Sequence, residues 1–260
     1  MGYSGVADRM DAPVTVSVVS HGQGELVATL LGDLARCPQV GSIVLTQNLP
    51  EAEIPVPEEV AARLKVVRNM KPQGFAANHN AAFRYCSTPF FCVLNPDIRM
   101  SENPFLGLVA CLADPHVALA APAVLNIRGE IEDSARHFPT PWGLFLKVMG
   151  AADGGRLAYR LGDSPHHPDW LAGMFLLMRS DVFHSVDGFD IGFHLYYEDV
   201  DLCARLRNGG HDLLLCPSTH VVHDARRASR HNLRYLKWHL SSMARYFIKH
   251  IGRLPKRRGM

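Results

Sequence analysis

Several large functional classes are ruled out by what this 260-residue chain does not contain. None of its six cysteines (37, 86, 92, 111, 203 and 216) stands in a C-x-x-C spacing, and most have apolar neighbours. That excludes a zinc ribbon or a disulfide framework and predicts buried, reduced thiols. No apolar run approaches the roughly 18 residues of a membrane span. Met1 to Pro13 carries Asp8 and Asp11 and lacks the apolar centre of a secretory leader. The net charge is only +2, so there is no global basic field and no nucleic-acid partner is expected. The Gly-rich dinucleotide fingerprint, a G-K-[ST] phosphate grip, a G-x-S-x-G turn and a Ser–His–Asp arrangement are all missing. The N-terminal half holds no two-metal carboxylate cluster, which removes a phosphate-ester hydrolase. A cytoplasmic protein is expected, at most peripheral at the inner face of the cytoplasmic membrane.

What is present alternates. Val14 to Val19 is a β-branched run that stops at Ser20-His21, and residues 24–36 place Leu26, Leu30, Leu31 and Leu34 at helical spacing. Short strands are predicted at 43–45, 64–67 and 90–94, with a surface loop at 54–57 and a helix from Phe75 to Tyr85. Helix 102–113 and strand 117–127 follow. Residues 138–169, with four prolines, read as a long binding loop or lid. Strand 170–178, helix 179–186, helix 198–208 capped by Gly209-Gly210, strands 213–216 and 219–222, and a helix over 229–250 complete the pattern. That last helix is amphipathic, with Leu233, Leu236, Leu240, Met243 and Phe247 along one side. Strands joined by helices imply a mostly parallel sheet covered on both faces, with ligands bound beyond the carboxyl ends of its strands. The division expected is a flexible 1–13, a single domain over 14–250 and a basic tail over 251–260. From residue 226 onward there are eleven Lys and Arg (226, 227, 230, 234, 237, 245, 249, 253, 256, 257, 258) and no Asp or Glu. Such a tail suits phosphate or anionic lipid.

Five segments can carry chemistry. Ser20-His21 and Asn95-Pro96-Asp97 each follow a buried strand, where a carboxylate can hold a divalent cation, although Asn-Pro-Asp is also good turn chemistry. His223 closes another strand and could meet Asp97 on one cation, Mg²⁺ or Mn²⁺. In Glu198-Asp199-Val200-Asp201 three carboxylates occupy four positions at a helix start. The backbone dipole favours acids there, but one can equally serve as a general base, its pKa raised by its neighbour. Asp201 is better placed to pair with Arg205, four residues on. The helix start at Gly74-Phe75-Ala76-Ala77-Asn78 is a candidate phosphate site.

Taken in order, these segments resemble the inverting family 2 glycosyltransferases of the GT-A fold, and within them the bacterial rhamnosyltransferase-like branch. The resemblance runs over about residues 14–250 and rests on Val16 to His21, Gly74 to Asn80, Leu94 to Asp97, Trp170 to Met174, Gly188-Phe189-Asp190, Tyr197 to Arg205, His223 and Trp238 to Phe247. It implies a Rossmann-like three-layer α/β domain with a mostly parallel sheet and a C-terminal amphipathic helix. It also implies that Asp97, in a shortened D-x-D motif with Asn95 in the first position, binds the metal together with His223. Asp199 would be the general base, with Glu198 beside it. Ser20, His21 and the 74–80 segment would line the nucleotide site, and Trp170 and Gly173 the floor where donor and acceptor meet. The activity implied is transfer of a sugar, such as rhamnose from a dTDP-sugar, to a lipid-linked oligosaccharide precursor of a cell-surface glycan. The basic C-terminus would touch the membrane. Where the family has Asp-Asn-x-Ser after the second strand, this chain has Leu45-Thr46-Gln47-Asn48. A UDP-hexose donor therefore stays open, as does a non-catalytic nucleotide- or glycan-binding module on the same fold.

Overall fold

The computed structural model describes residues 12–143, 149–150, 155–224 and 233–254, with side chains from 236 in the last segment. Most of the expected flexible N-terminus and basic tail, and the 229–232 start of the last helix, lie outside the described residues.

The strands are β1 (Val14–Ser20), β2 (Val40–Gln47), β3 (Leu64–Arg68), β4 (Phe90–Leu94), β5 (Ile98–Arg99), β6 (Val117–Asn126), β7 (Ala135–Arg136), β8 (Trp170–Leu171), β9 (Phe175–Arg179) and β10 (Asp212–His223). The helices are α1 (Gly24–Ala35), α2 (Glu58–Ala61), α3 (Phe75–Phe83), α4 (Phe105–Cys111), α5 (Ser180–Ser185), α6 (Glu198–Asn208) and α7 (Leu233–His250). Eight strands form one sheet in the order β3-β2-β1-β4-β9-β6-β10-β5. The β3-β2-β1-β4 part is parallel, as is β6 with β10, while β9 runs antiparallel between β4 and β6.

Burial on both faces explains why these strands read as continuous apolar runs. Along β4, Cys92 and Leu94 pack into one core with α1 and α4, and Phe91 and Val93 into the other with α3, α5 and α6. The two cores make the expected three layers. Two polar residues inside them have partners: Ser17 Oγ lies 2.8 Å from His79 Nδ1, and Thr15 Oγ1 2.7 Å from Thr88 Oγ1. All six cysteines are free; four are buried and Cys86 and Cys111 half-buried.

The structure refines several expectations. Residues 170–178 are two strands, because Ala172–Met174 turn between β8 and β9. The two strands expected over 213–222 are one, β10, with a register shift between Cys216 and His220 that accommodates Pro217, which has no N–H to donate. Ile54, expected in a surface loop, is buried against α1. In the long loop, Leu157 and His137 bond backbone to backbone with Ala135 and Gly155, and His166 with Leu215; residues 144–148 and 151–154 are not described. On α7, Leu236 and Leu240 face solvent, and the inward side carries Ser242, Tyr246 and His250.

One topological fact positions the site. Only Asn95–Asp97 separate β4 from β5, yet three strands stand between them in the sheet. Four strand spacings across a flat sheet would be about 19 Å. The four residue steps from Leu94 to Ile98 reach about 14 Å at most. The sheet therefore curls, and its edge returns to the carboxyl end of β4. There Ile98 pairs with His223, and Asp224 N–H donates to the Asp97 carbonyl at 2.8 Å.

Candidate active site

The curl sets Asp97 against His223, with His223 Nε2 3.2 Å from Asp97 Oδ2. On the other side of the ring, Nδ1 lies 2.7 Å from Glu132 Oε2. Burial alone would lower the imidazole, but its contacts with Asp97 and Glu132 outweigh that and hold it at about 9. Asp97 Oδ1 is buried with no hydrogen-bond partner. A buried carboxylate oxygen without a donor is costly unless a cation completes it, so this pair fits a divalent metal as two of its ligands. Among the described residues no group of three or more His, Cys, Asp or Glu side chains is arranged to hold a metal. Further ligands would have to come from phosphate oxygens and water. Sequence reasoning missed Glu132, which sits in the turn after β6 and acts only through His223.

Asp97 opens onto a cavity of about 200 Å³ lined by His21, Gln23, Phe75, His79, Asn95 and Leu195, among others. Of the residues expected to bind the nucleotide sugar, His21, Phe75, Asn95 and Asp97 thus share one cavity. Burial lowers the pKa of His21, and burial followed by the charge of His21 takes His79 down to about 3, so His79 is neutral. Ser20 and Asn78 stand behind this wall. Ser20 Oγ donates to Glu51 Oε2 at 2.8 Å and accepts from Gln23 N–H. Asn78 Oδ1 accepts from Asn69 Nδ2 at 2.7 Å. Asn69 also donates to Asn48 Oδ1, which accepts from Gln73 N–H as well. Asn48, in the segment where the family has its aspartate, is thereby committed to bracing the loop before α3. Gly74 allows that loop to come close: a Cβ there would lie 2.6 Å from the His194 carbonyl.

The Glu-Asp pair sits at the start of α6, on unusual backbone. Tyr196 and Tyr197 both adopt left-handed conformations, with φ of 69° and 67°, each costing a non-glycine residue about 1–2 kcal/mol. Aromatic packing from α7 supports them, His239 against both rings and Tyr246 against Tyr197. Beyond this kink, Asp199 is half-buried and accepts from Gly173 N–H at 2.9 Å and Val200 N–H at 2.8 Å. Burial raises its pKa, and these backbone bonds pull it partly back. Glu198 is 5% exposed with Oε2 unpartnered. Burial first, then the charge of Asp199, push it up to about 8. Gly173, which bonds Asp199, also stands against the Phe75 ring, and Phe75 in turn lines the cavity onto which Asp97 opens. Trp170 lies further along, its indole N–H donating to the His137 carbonyl at 3.1 Å.

Asp201 is structural. It is fully buried and pairs with Arg205 (2.8 Å), Lys249 (2.7 Å) and His250 (2.8 Å). Asp190 likewise binds Arg245 and Lys249; burial opposes its charge, but these cations hold it at about 2. Gly188 (φ 63°) lets the Asn80 carboxamide clasp both backbone groups of Phe189. The acidic block therefore divides: Glu198 and Asp199 sit side by side at the start of α6, Asp199 bonded to Gly173, and Asp190 and Asp201 dock α7.

This arrangement has relatives. The chain is 27% identical over 246 residues to the rhamnosyltransferase WbbL of Escherichia coli, covering 91% of this chain and 93% of that protein. It is 32% identical over 139 residues to the N-acetylglucosaminyl-diphospho-decaprenol L-rhamnosyltransferase of Mycobacterium tuberculosis, covering 50% of this chain and 45% of that one. Among solved structures, GalNAc-T7 with UDP, GalNAc and Mn²⁺ superposes with a TM-score of 0.63 at 17% identity, over 84% of this chain and 44% of that one. No family model matches. The fold is that of the GT-A glycosyltransferases. The chain is a nucleotide-sugar-dependent glycosyltransferase, rhamnosyltransferase-like and consistent with family 2.

Proposed function

We propose that this glycosyltransferase moves a deoxyhexose such as rhamnose from a dTDP-sugar to a hydroxyl of a lipid-linked glycan precursor, with inversion at the anomeric carbon. The pairing of Asp97 with His223 beside the cavity, with Asp199 bonded to Gly173 against the Phe75 ring that lines it, carries the reading. The rhamnosyltransferase names of both sequence relatives support the donor, and the polyprenyl-linked substrate in the mycobacterial relative's name supports the acceptor class.

Asp199 is the general base. Its Oδ2 is fixed by the Gly173 N–H, and the accepting hydroxyl reaches it from the cavity side. The buried Glu198, with Asp199 beside it, is held at about 8 and keeps its proton near neutral pH. The acceptor oxygen, giving its proton to Asp199, attacks the anomeric carbon opposite the departing nucleoside diphosphate. Asp97 and His223 would hold a divalent cation, Mg²⁺ or Mn²⁺, whose charge when bound neutralises the leaving diphosphate. Glu132 orients the His223 ring through Nδ1, as carboxylates do behind metal-binding histidines. His21, Phe75 and Asn95 line the donor cavity, and Trp170 flanks the acceptor side.

The test is a screen of dTDP- and UDP-sugars scored by release of free nucleoside diphosphate, run on the native chain and on Asp199→Asn. The variant is expected to lose transfer by at least about 10³-fold while binding the nucleotide normally. Retained turnover would remove Asp199 from the mechanism. Turnover with UDP-hexoses alone would replace the donor.

A further inference from the structure

We infer that the outward face of α7 is a membrane-docking surface for anionic lipid, into which Leu236, Leu240, Ile248 and Ile251 insert. This deepens the membrane-facing acceptor reading but rests on separate observations. On the inward side, α7 is fixed to the domain: Ser242 Oγ donates to the Leu195 carbonyl at 2.9 Å, Tyr246 is fully buried, and His250 bonds Asp201. The other side is left uncovered. Leu236, Leu240, Ile248 and Ile251 are 54, 48, 72 and 73% exposed. They recur at helical spacing along one side, with half-buried Met243 and Phe247 at its margin.

An amphipathic helix that buries one side in protein has no folding reason to carry three large aliphatics on another, with a fourth, Ile251, in the turn that follows. Charge decides what covers them. Asp190 and Asp201 neutralise Arg245 and Lys249 from the protein side, while Lys237 and Arg253 stand exposed beside the apolar stripe. The sequence adds Lys256, Arg257 and Arg258 directly after it and no acid anywhere beyond Asp224. A second copy would oppose two faces of the same positive sign. An anionic lipid surface instead matches both the stripe and its basic surround. The location suits the site: Leu195, to which Ser242 bonds, lines the donor cavity, and the Trp238 ring packs 4.7 Å from that of His194. A lipid surface on α7 would thus lie one element away from where a lipid-linked acceptor must enter.

The experiment is co-sedimentation of the full chain with phosphatidylcholine vesicles, with and without phosphatidylglycerol, in the absence of any sugar donor. It compares the native chain with Leu236→Gln/Leu240→Gln and Ile248→Gln/Ile251→Gln, which leave the charge unchanged. The native chain is expected to bind the anionic vesicles selectively, and each pair of substitutions to weaken binding about tenfold or more. The urea midpoint and nucleotide binding should stay at native values. Binding that survives both pairs together would overturn insertion and leave only electrostatic adhesion of the basic tail. No vesicle binding, with a dimer by light scattering that the substitutions dissolve, would assign the face to a second copy instead. Either failure leaves sugar transfer, read by nucleoside diphosphate release, untouched.

Discussion

Glu198→Gln should make the protein more stable, and only above a definite pH. Glu198 is buried with one carboxylate oxygen unpartnered beside Asp199, and its folded pKa is raised from 4.5 to about 8. In the unfolded chain it ionises near its ordinary value. Between the two pKa values the fold holds a proton that the unfolded chain has released, so stability falls as pH rises through that window. The contribution is complete below about pH 4.5 and lost above about pH 8. The difference between 4.5 and about 8 corresponds to at most about 4–5 kcal/mol. Water entry and side-chain rearrangement relieve part of this, leaving roughly 2 kcal/mol for the glutamine to recover at pH 8.5. Glutamine keeps the shape and cannot ionise. In urea titrations followed by tryptophan fluorescence, the midpoints of the two proteins should coincide near pH 4.5. They should separate by about 0.5–1 M at pH 8.5. A stability difference independent of pH, or a glutamine variant less stable at pH 8.5, would refute the reasoning.

Three further outcomes follow from the geometry. Asp97→Asn should weaken Mn²⁺ binding about 10–100-fold, measured by calorimetry in the presence of a nucleoside diphosphate, and an unchanged affinity would remove Asp97 from the metal site. Gly74→Ala brings a Cβ against the His194 carbonyl; it should cost about 1–3 kcal/mol in urea unfolding and weaken nucleotide binding, as the loop moves from the cavity. Asp201→Asn breaks a buried pair with Arg205, Lys249 and His250 and should destabilise by about 3 kcal/mol at neutral pH. Burial opposes the charge on Asp201, but His250, Arg205 and Lys249 keep its folded pKa depressed. The difference should therefore shrink as pH falls through that depressed value.

Most of the strands and helices were legible because their apolar runs have the right period and clear stops, as in Val14 to Ser20 or in the helix closed by Gly209-Gly210. The carboxylates could be picked out for a different reason: acids beside buried strands have few structural uses. Contacts made at a distance were not legible. Glu132 gives no local signal; it matters because β6 and the curled edge bring it to His223. The neutral state of His79 depends on burial that no spacing announces. On α7, helical periodicity identifies an apolar side that includes Leu236 and Leu240, but not what covers it. The docked side is chosen instead by Asp190 and Asp201, which take Arg245, Lys249 and His250. Ser20 and Asn78 were expected in the nucleotide site and instead brace the loops that shape it.

The left-handed pair Tyr196–Tyr197 sets stability against function. The conformation that sets Asp199 at the start of α6 is one these residues would not adopt on their own, so the proposed base is placed by the packing of α7 on the two rings. Glycine at either position would relax the kink and release its local strain. It would also free the start of α6 to wander, so the same change would favour the backbone and blunt the catalyst. A variant selected only for thermal resistance would drift in that direction, and the sugar-transfer rate would record the loss before any melting curve did.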